Sequence, residues 1–163
     1  NVTNINNPGG TSAITISSAG VISQPNNPCF HVGKNTDQSI TDATVTVVTF
    51  ESITDGGESG VIINKGGLFA NNKFTVTSTT TGIYYFYTSL FRKNGSTQMQ
   101  TALPSFSFGT YAYNFQISGL INLSSASDYV EVVIDCDQGS GAALNVNYNA
   151  GYHRTEFGGY KVG

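Results

Sequence analysis

Apolar and polar positions alternate with a period of two along most of this chain, the mark of strands that bury one face. Val130, Val132 and Ile134 alternate with Glu131 and Asp135, and Leu144, Val146 and Tyr148 alternate with Asn145, Asn147 and Asn149. Phe115, Ile117, Ile121 and Leu123 fall on one face of a further strand, opposite Gln116 and Asn122. Thr and Val alternate from 43 to 50, and Val61-Ile62-Ile63 and Phe74-Thr75-Val76-Thr77 predict two more short strands. Ile83-Tyr84-Tyr85-Phe86-Tyr87 is apolar on both faces and runs on to Phe91, which predicts a central strand. Turn residues separate these runs at Asp55-Gly56-Gly57-Glu58, Lys65-Gly66-Gly67 and Lys93-Asn94-Gly95. The closing stretch, Glu156 to Tyr160, reads as a last strand threaded back into the core. No segment carries a helical period, and no internal repeat stands out.

Residues 1–27 differ from the rest. They are rich in Asn, Gly and Ser, with two short alternating pieces, Ala13-Ile14-Thr15-Ile16 and Gly20-Val21-Ile22, and they read as an extended β stem or linker. Pro25 and Pro28 then lead into Cys29-Phe30-His31-Val32, which opens a compact domain over residues 28–163. A chain of 163 residues is long enough for one two-layer core. Composition strengthens the all-β expectation: 19 Gly, 12% aromatic residues and only 10% charged residues suit pleated, half-buried strands and not helical bundles.

Charge narrows the partners. A net charge of -3 with seven scattered cations offers no basic track for phosphates, so no nucleic-acid partner is expected. No apolar run reaches the roughly 20 residues that would cross a bilayer as a helix, so membrane insertion is not expected, and Asn1-Val2-Thr3-Asn4 lacks a signal-peptide pattern. A start without Met is what a mature or excised fragment would show. The two cysteines, Cys29 and Cys136, lack the spacing of a zinc site; packing as thiols is the expectation and a single disulfide the alternative.

The residues of the central strand carry a resemblance. Gly82-Ile83-Tyr84-Tyr85-Phe86 resembles the G-x-Y-x-F centre of the complement C1q-like globular head, a jelly roll shared with the tumour necrosis factor superfamily. Phe50, Gly67-Leu68-Phe69 and Lys73-Phe74 precede it in the family's order. Downstream, residues 118–123 and Ser127-Asp128-Tyr129-Val130-Glu131-Val132 look like the family's leucine strand and its G-D-x-V-x-V strand, and Phe157-Gly158-Gly159-Tyr160 looks like its terminal F-x-G-F. The likeness spans about 28 to 162. It departs from the pattern in a longer gap between Phe74 and Gly82, in Thr88 where an aromatic is expected, and in Ser127 where the family has Gly. It implies a two-sheet jelly roll, packed as a parallel homotrimer through an aromatic-rich inner sheet. Core and assembly residues are then expected at Phe30, Phe50, Phe74, Tyr84, Phe86, Phe115, Leu123, Phe157 and Tyr160, with Tyr85 and Tyr87 facing the other way, either into an interface or under neighbouring loops. Residues 10–22 resemble the polar β segments that precede trimeric tips of bacteriophage fibres, and they contain no collagen repeat. A virion-surface location follows from that resemblance, with a secreted C1q-like module as the alternative.

Candidate chemistry is sparse. His31 and His153 belong to no catalytic motif and no nucleophile stands out, so no enzymatic activity is expected. Asp135 and Asp137 flank Cys136 with matching orientation, and Asp55 and Glu58 share a Gly-rich loop; either pair offers hard oxygen ligands, so calcium is the one cofactor considered, against the simpler reading of solvated acidic loops. Some C1q-like trimers bind calcium at the apex, which the resemblance would extend to Asp135 and Asp137. For recognition, the loop residues Asp55, Glu58 and Asn94 and the aromatic pair Tyr111 and Tyr113 are the candidates, with a host-surface polysaccharide or protein as ligand. A domain that only clamps three chains in register is the other structural reading.

Overall fold

A computed structural model describes residues 3–24, 26–34, 36–50, 63–88, 90–100, 116–135, 144–146 and 155–163. Among these the chain is all-β, with no helix. The strands are β1 (Asn4–Asn6), β2 (Ser12–Ile16), β3 (Ile22–Ser23), β4 (Cys29–Gly33), β5 (Gln38–Ile40), β6 (Thr46–Val47), β7 (Ile63–Lys65), β8 (Phe69–Ala70), β9 (Lys73–Thr75), β10 (Gly82–Thr88), β11 (Leu90–Lys93), β12 (Ser96–Gln100), β13 (Ile117–Leu123), β14 (Tyr129–Ile134), β15 (Leu144–Val146) and β16 (Glu156–Lys161).

Two antiparallel sheets form the body. One runs β13-β10-β16-β4-β7 and the other β12-β11-β14-β9-β8, with β6 also pairing with β14. The last strand, β16, lies between β10 and β4, as its apolar pattern predicts. Two smaller sheets complete the chain: β5 with β15, and an amino-terminal meander β1-β2-β3. The meander contains the two alternating pieces of residues 1–27 and adds β1, an Asn-flanked strand with no sequence pattern of its own.

The two main sheets enclose a core in a sandwich-like arrangement. Phe30, Val32, Tyr84, Phe86, Ile121, Leu123 and Phe157 come from the five-stranded sheet, and Phe74, Val130 and Val132 come from the other; all are buried. The layers meet ring to ring, with Phe74 4.7 Å from Phe30, 5.0 Å from Tyr84 and 5.6 Å from Phe86. Burying a side chain of this size contributes about 2–3 kcal/mol, and edge-to-face ring pairs add to that. Gly159 makes room in this layer, because a Cβ there would lie 2.6 Å from the Phe86 ring and 2.7 Å from the Tyr85 carbonyl oxygen.

Three expectations change. The run from Gly82 to Phe91 is not one strand: β10 belongs to the five-stranded sheet and β11 to the other, so the chain changes layers near Thr88. A stretch from Gly82 to Lys93 would be longer than most strands, and switching sheets lets both halves pair. Alternating Thr and Val over 43–50 yields only the two paired residues of β6, although Val48 beside them is fully buried. Finally, β14 is buried on both faces, because Glu131, expected to face solvent, is only 3% exposed. Its register neighbours on β11 and β9 are Arg92 and Lys73, whose charges compensate it at 3.5 and 3.6 Å.

Candidate assembly interface

Alternation decides what each sheet shows on its outer side. In the five-stranded sheet, burying Tyr84, Phe86 and Phe157 turns Ile83, Tyr85, Tyr87 and Tyr160 outward. Register then lines these residues up across the strands. One row is Leu120, Tyr85, Tyr160, Cys29, Lys65, and the next is Ser118, Tyr87, Gly158, His31, Ile63. Leu120 is 61% exposed, and Tyr160, Ile83 and Ile63 are exposed as well. Tyr85 and Tyr160 lean together with ring centroids 5.5 Å apart. Such a contiguous apolar patch is unusual on the surface of a monomer.

The second row holds its shape through a polar chain. Gly158 has no side chain, so the Tyr87 ring lies flat over it; a Cβ there would collide with the phenol. The Tyr87 hydroxyl reaches His31 Nδ1 at 2.7 Å, and Nε2 of the same imidazole lies 3.7 Å from Glu156 Oε2. With the proton on Nε2, the phenol donates to Nδ1. Burial raises the Tyr87 pKa and the nearby Glu156 carboxylate raises it further, so the phenol keeps its proton. The arrangement fixes the angle of an aromatic ring on an open face. Sequence reasoning left His31 without a partner because Tyr87 and Glu156 reach it only through strand register.

The outer side of the six-stranded sheet carries a charged row beside a short apolar one, Val133 and Val47. Arg92, Glu131 and Lys73 form a row, and Lys73 Nζ sits 4.3 Å from the centre of the Tyr129 ring. At one end, the hairpin joining β11 to β12 turns through Asn94 and Gly95, with φ of 49° and 78°, as the Asn-Gly pair predicts. The Asn94 amide donates to Asp128 Oδ1 at 2.7 Å and its carbonyl oxygen accepts from Tyr129 N at 2.9 Å. Asp128 also accepts from Lys93 Nζ at 3.0 Å and Ser125 N at 3.1 Å, and these bonds hold its pKa down at about 2. Ser127, where the C1q-like pattern has Gly, takes the left-handed φ of 73° that favours glycine.

Of the expected core residues, Phe30, Phe74, Tyr84, Phe86, Leu123 and Phe157 are buried together, and Phe50 packs on them half-buried. Tyr160, expected in the core or in an assembly contact, faces outward, because Phe157 takes the inward parity of β16. Asn94, a candidate for ligand binding, has both ends of its amide engaged within the chain. Asp135 is exposed just past β14. Phe115, Tyr111, Tyr113, Asp55, Glu58, Asp137, Cys136 and His153 lie outside the described residues. Among the described residues no group of three or more His, Cys, Asp or Glu could hold a metal. Cys29 carries a free thiol. No helix among the described residues is long and apolar enough to cross a membrane.

One feature escaped the sequence reading altogether. Lys34 is 1% exposed, and its ammonium donates to Thr49 O at 2.8 Å, Thr49 Oγ1 at 3.2 Å and Gln38 Oε1 at 3.4 Å. It joins β5 to the segment after β6. A lysine four residues before a glutamine gives no hint of that.

Comparison of the sequence with models of known protein families finds no match, and comparison with curated proteins finds no relative.

Proposed function

We propose that this chain is a C1q-like jelly roll that assembles as a parallel homotrimer and serves as a virion-surface fibre tip, binding a host-surface polysaccharide or protein through its loops. The observation that carries the assembly reading is the row Leu120, Tyr85, Tyr160 on the outer side of the five-stranded sheet, left open where the opposite sheet covers itself with charge. Strand order supports the jelly roll: β16 between β10 and β4 in one sheet, β14 between β11 and β9 in the other, and the two strands that follow one another at residue 89 placed in different sheets. The virion location rests on the resemblance of residues 10–22 alone.

Association would bury Leu120, Ile83, Ile63 and Tyr160, and would take the half-exposed His31 and Glu156 out of water as a neighbouring pair. Solution mass of the full chain tests this. The expected result is three chain masses at micromolar concentration; a single chain mass that persists to several hundred micromolar rejects it. Binding of the assembled protein to host cells tests the recognition half. The reading as a clamp alone draws support from Asn94, whose amide serves the fold and is not offered to a ligand. Assembly with no adsorption would leave that clamp as the function.

A further inference from the structure

The amino-terminal meander has an unpartnered face of its own. Register places Ile5 opposite Ile14 and Ile16 opposite Ile22, and Ile14 and Ile16 share one side of β2, so all four isoleucines lie on one face. Positions of the other parity point the opposite way. Ala13 lines a cleft of about 300 Å³ with Thr79, Thr80 and Lys161 of the body, and Thr15 and Ser23 join hydroxyls on that side. The isoleucine face is therefore turned away from the body. Ile5 is 51% and Ile22 66% exposed, Ile14 and Ile16 on the central strand are half-buried, and none of the four belongs to the core cluster. The apolar face of a sheet is stable when it is buried against another element.

We propose that this face is covered by the same face of other copies of the chain, as a second contact that sets the copies in register. The inference rests on the assembly reading above. Charge selects the occupant: no Asp, Glu, Lys or Arg precedes Lys34, so the meander has nothing to attract a charged partner and nothing to repel its own copy. The meander is also tied to the candidate interface. Lys65, at the end of the row with Leu120 and Tyr160, donates to Gln24 O at 3.1 Å, and Asn27 Nδ2 donates to Lys161 O at 3.0 Å. Four isoleucines fall short of the roughly 800 Å² per partner that a stable interface buries. They act once the body has brought the copies together, when the effective concentration is high.

The test uses the full chain carrying Cys29→Ser and Cys136→Ser. With Ile22→Cys added, mild oxidation of the assembled protein is expected to give covalent oligomers at least tenfold faster than with Ser23→Cys on the opposite face. Separately, Ile14→Ser with Ile16→Ser is expected to raise the concentration at which the assembly dissociates by at least tenfold. A protein that assembles but crosslinks equally at both cysteines overturns this inference and leaves the assembly reading intact. A protein of single chain mass at all concentrations overturns the assembly reading, and this inference with it.

Discussion

The outer sides of the two sheets solve one problem in opposite ways. Both sheets spend their inward parity on the same core, and both must then do something with the other parity. On the six-stranded sheet, Glu131 sits between Arg92 and Lys73, and Lys73 in turn lies over Tyr129, so this part of the surface is closed by side chains of its own sheet. On the five-stranded sheet, the equivalent positions are Leu120, Tyr85, Tyr160, Ile83 and Tyr87, and the exposed ones among them find no such cover. Inward pattern therefore reports the fold, while outward pattern reports what the fold touches. That division is why the assembly proposal rests on residues pointing away from the core.

Substitutions on the two sides separate stability from assembly. In the shared interior, Phe74→Ala is expected to cost about 3–5 kcal/mol in chemical denaturation, since its ring spans both layers. Next comes Glu131→Ala, expected to cost about 1–3 kcal/mol by leaving Arg92 and Lys73 facing each other without their carboxylate. If it costs no more than an exposed substitution, the charged row is decoration and the contrast between the faces fails.

The pH dependence of unfolding examines the same charged side. Asp128 has its folded pKa lowered from 3.8 to about 2, so its contribution is present above pH 3.8 and is lost as pH falls towards 2. Asp128→Asn should flatten the stability profile in that window, and an unchanged slope would show that the tether between the hairpin and β14 carries no weight. Smallest in its effect on the fold is Leu120→Ser, expected to change stability of the dissociated chain by about 0.5 kcal/mol or less while weakening self-association in sedimentation. A large loss of fold stability there would mean that Leu120 already has a partner within the chain.

How legible this was depends on how local each cause is. The alternation of Tyr84 and Phe86 and the Asn94-Gly95 turn are written in neighbouring residues, and the structure places them as that pattern predicts. Burial of Glu131 is not local: its cover comes from β9 and β11, and alternation read with a carboxylate at an odd position points to solvent. The same holds for the chain from Tyr87 through His31 to Glu156, whose members meet only after β16 is placed between β10 and β4. The split between β10 and β11 was hidden because only Thr88 and Ser89 interrupt the apolar run there, and such small polar residues are common inside strands. Ser127 shows the converse, since a residue that gives no local sign of it takes a left-handed backbone.

The central place of β16 has a consequence for how the molecule is made. A growing chain that has already laid down β4, β7, β10 and β13 still has a slot between β10 and β4 with backbone donors and acceptors open on both rims. Only the segment synthesised after the other described strands fills it. Closure of this sheet therefore waits for that segment, the contacts that seal it are distant in sequence, and folding is expected to be slow. Any product cut short before Glu156 would carry two sticky rims in place of a finished sheet.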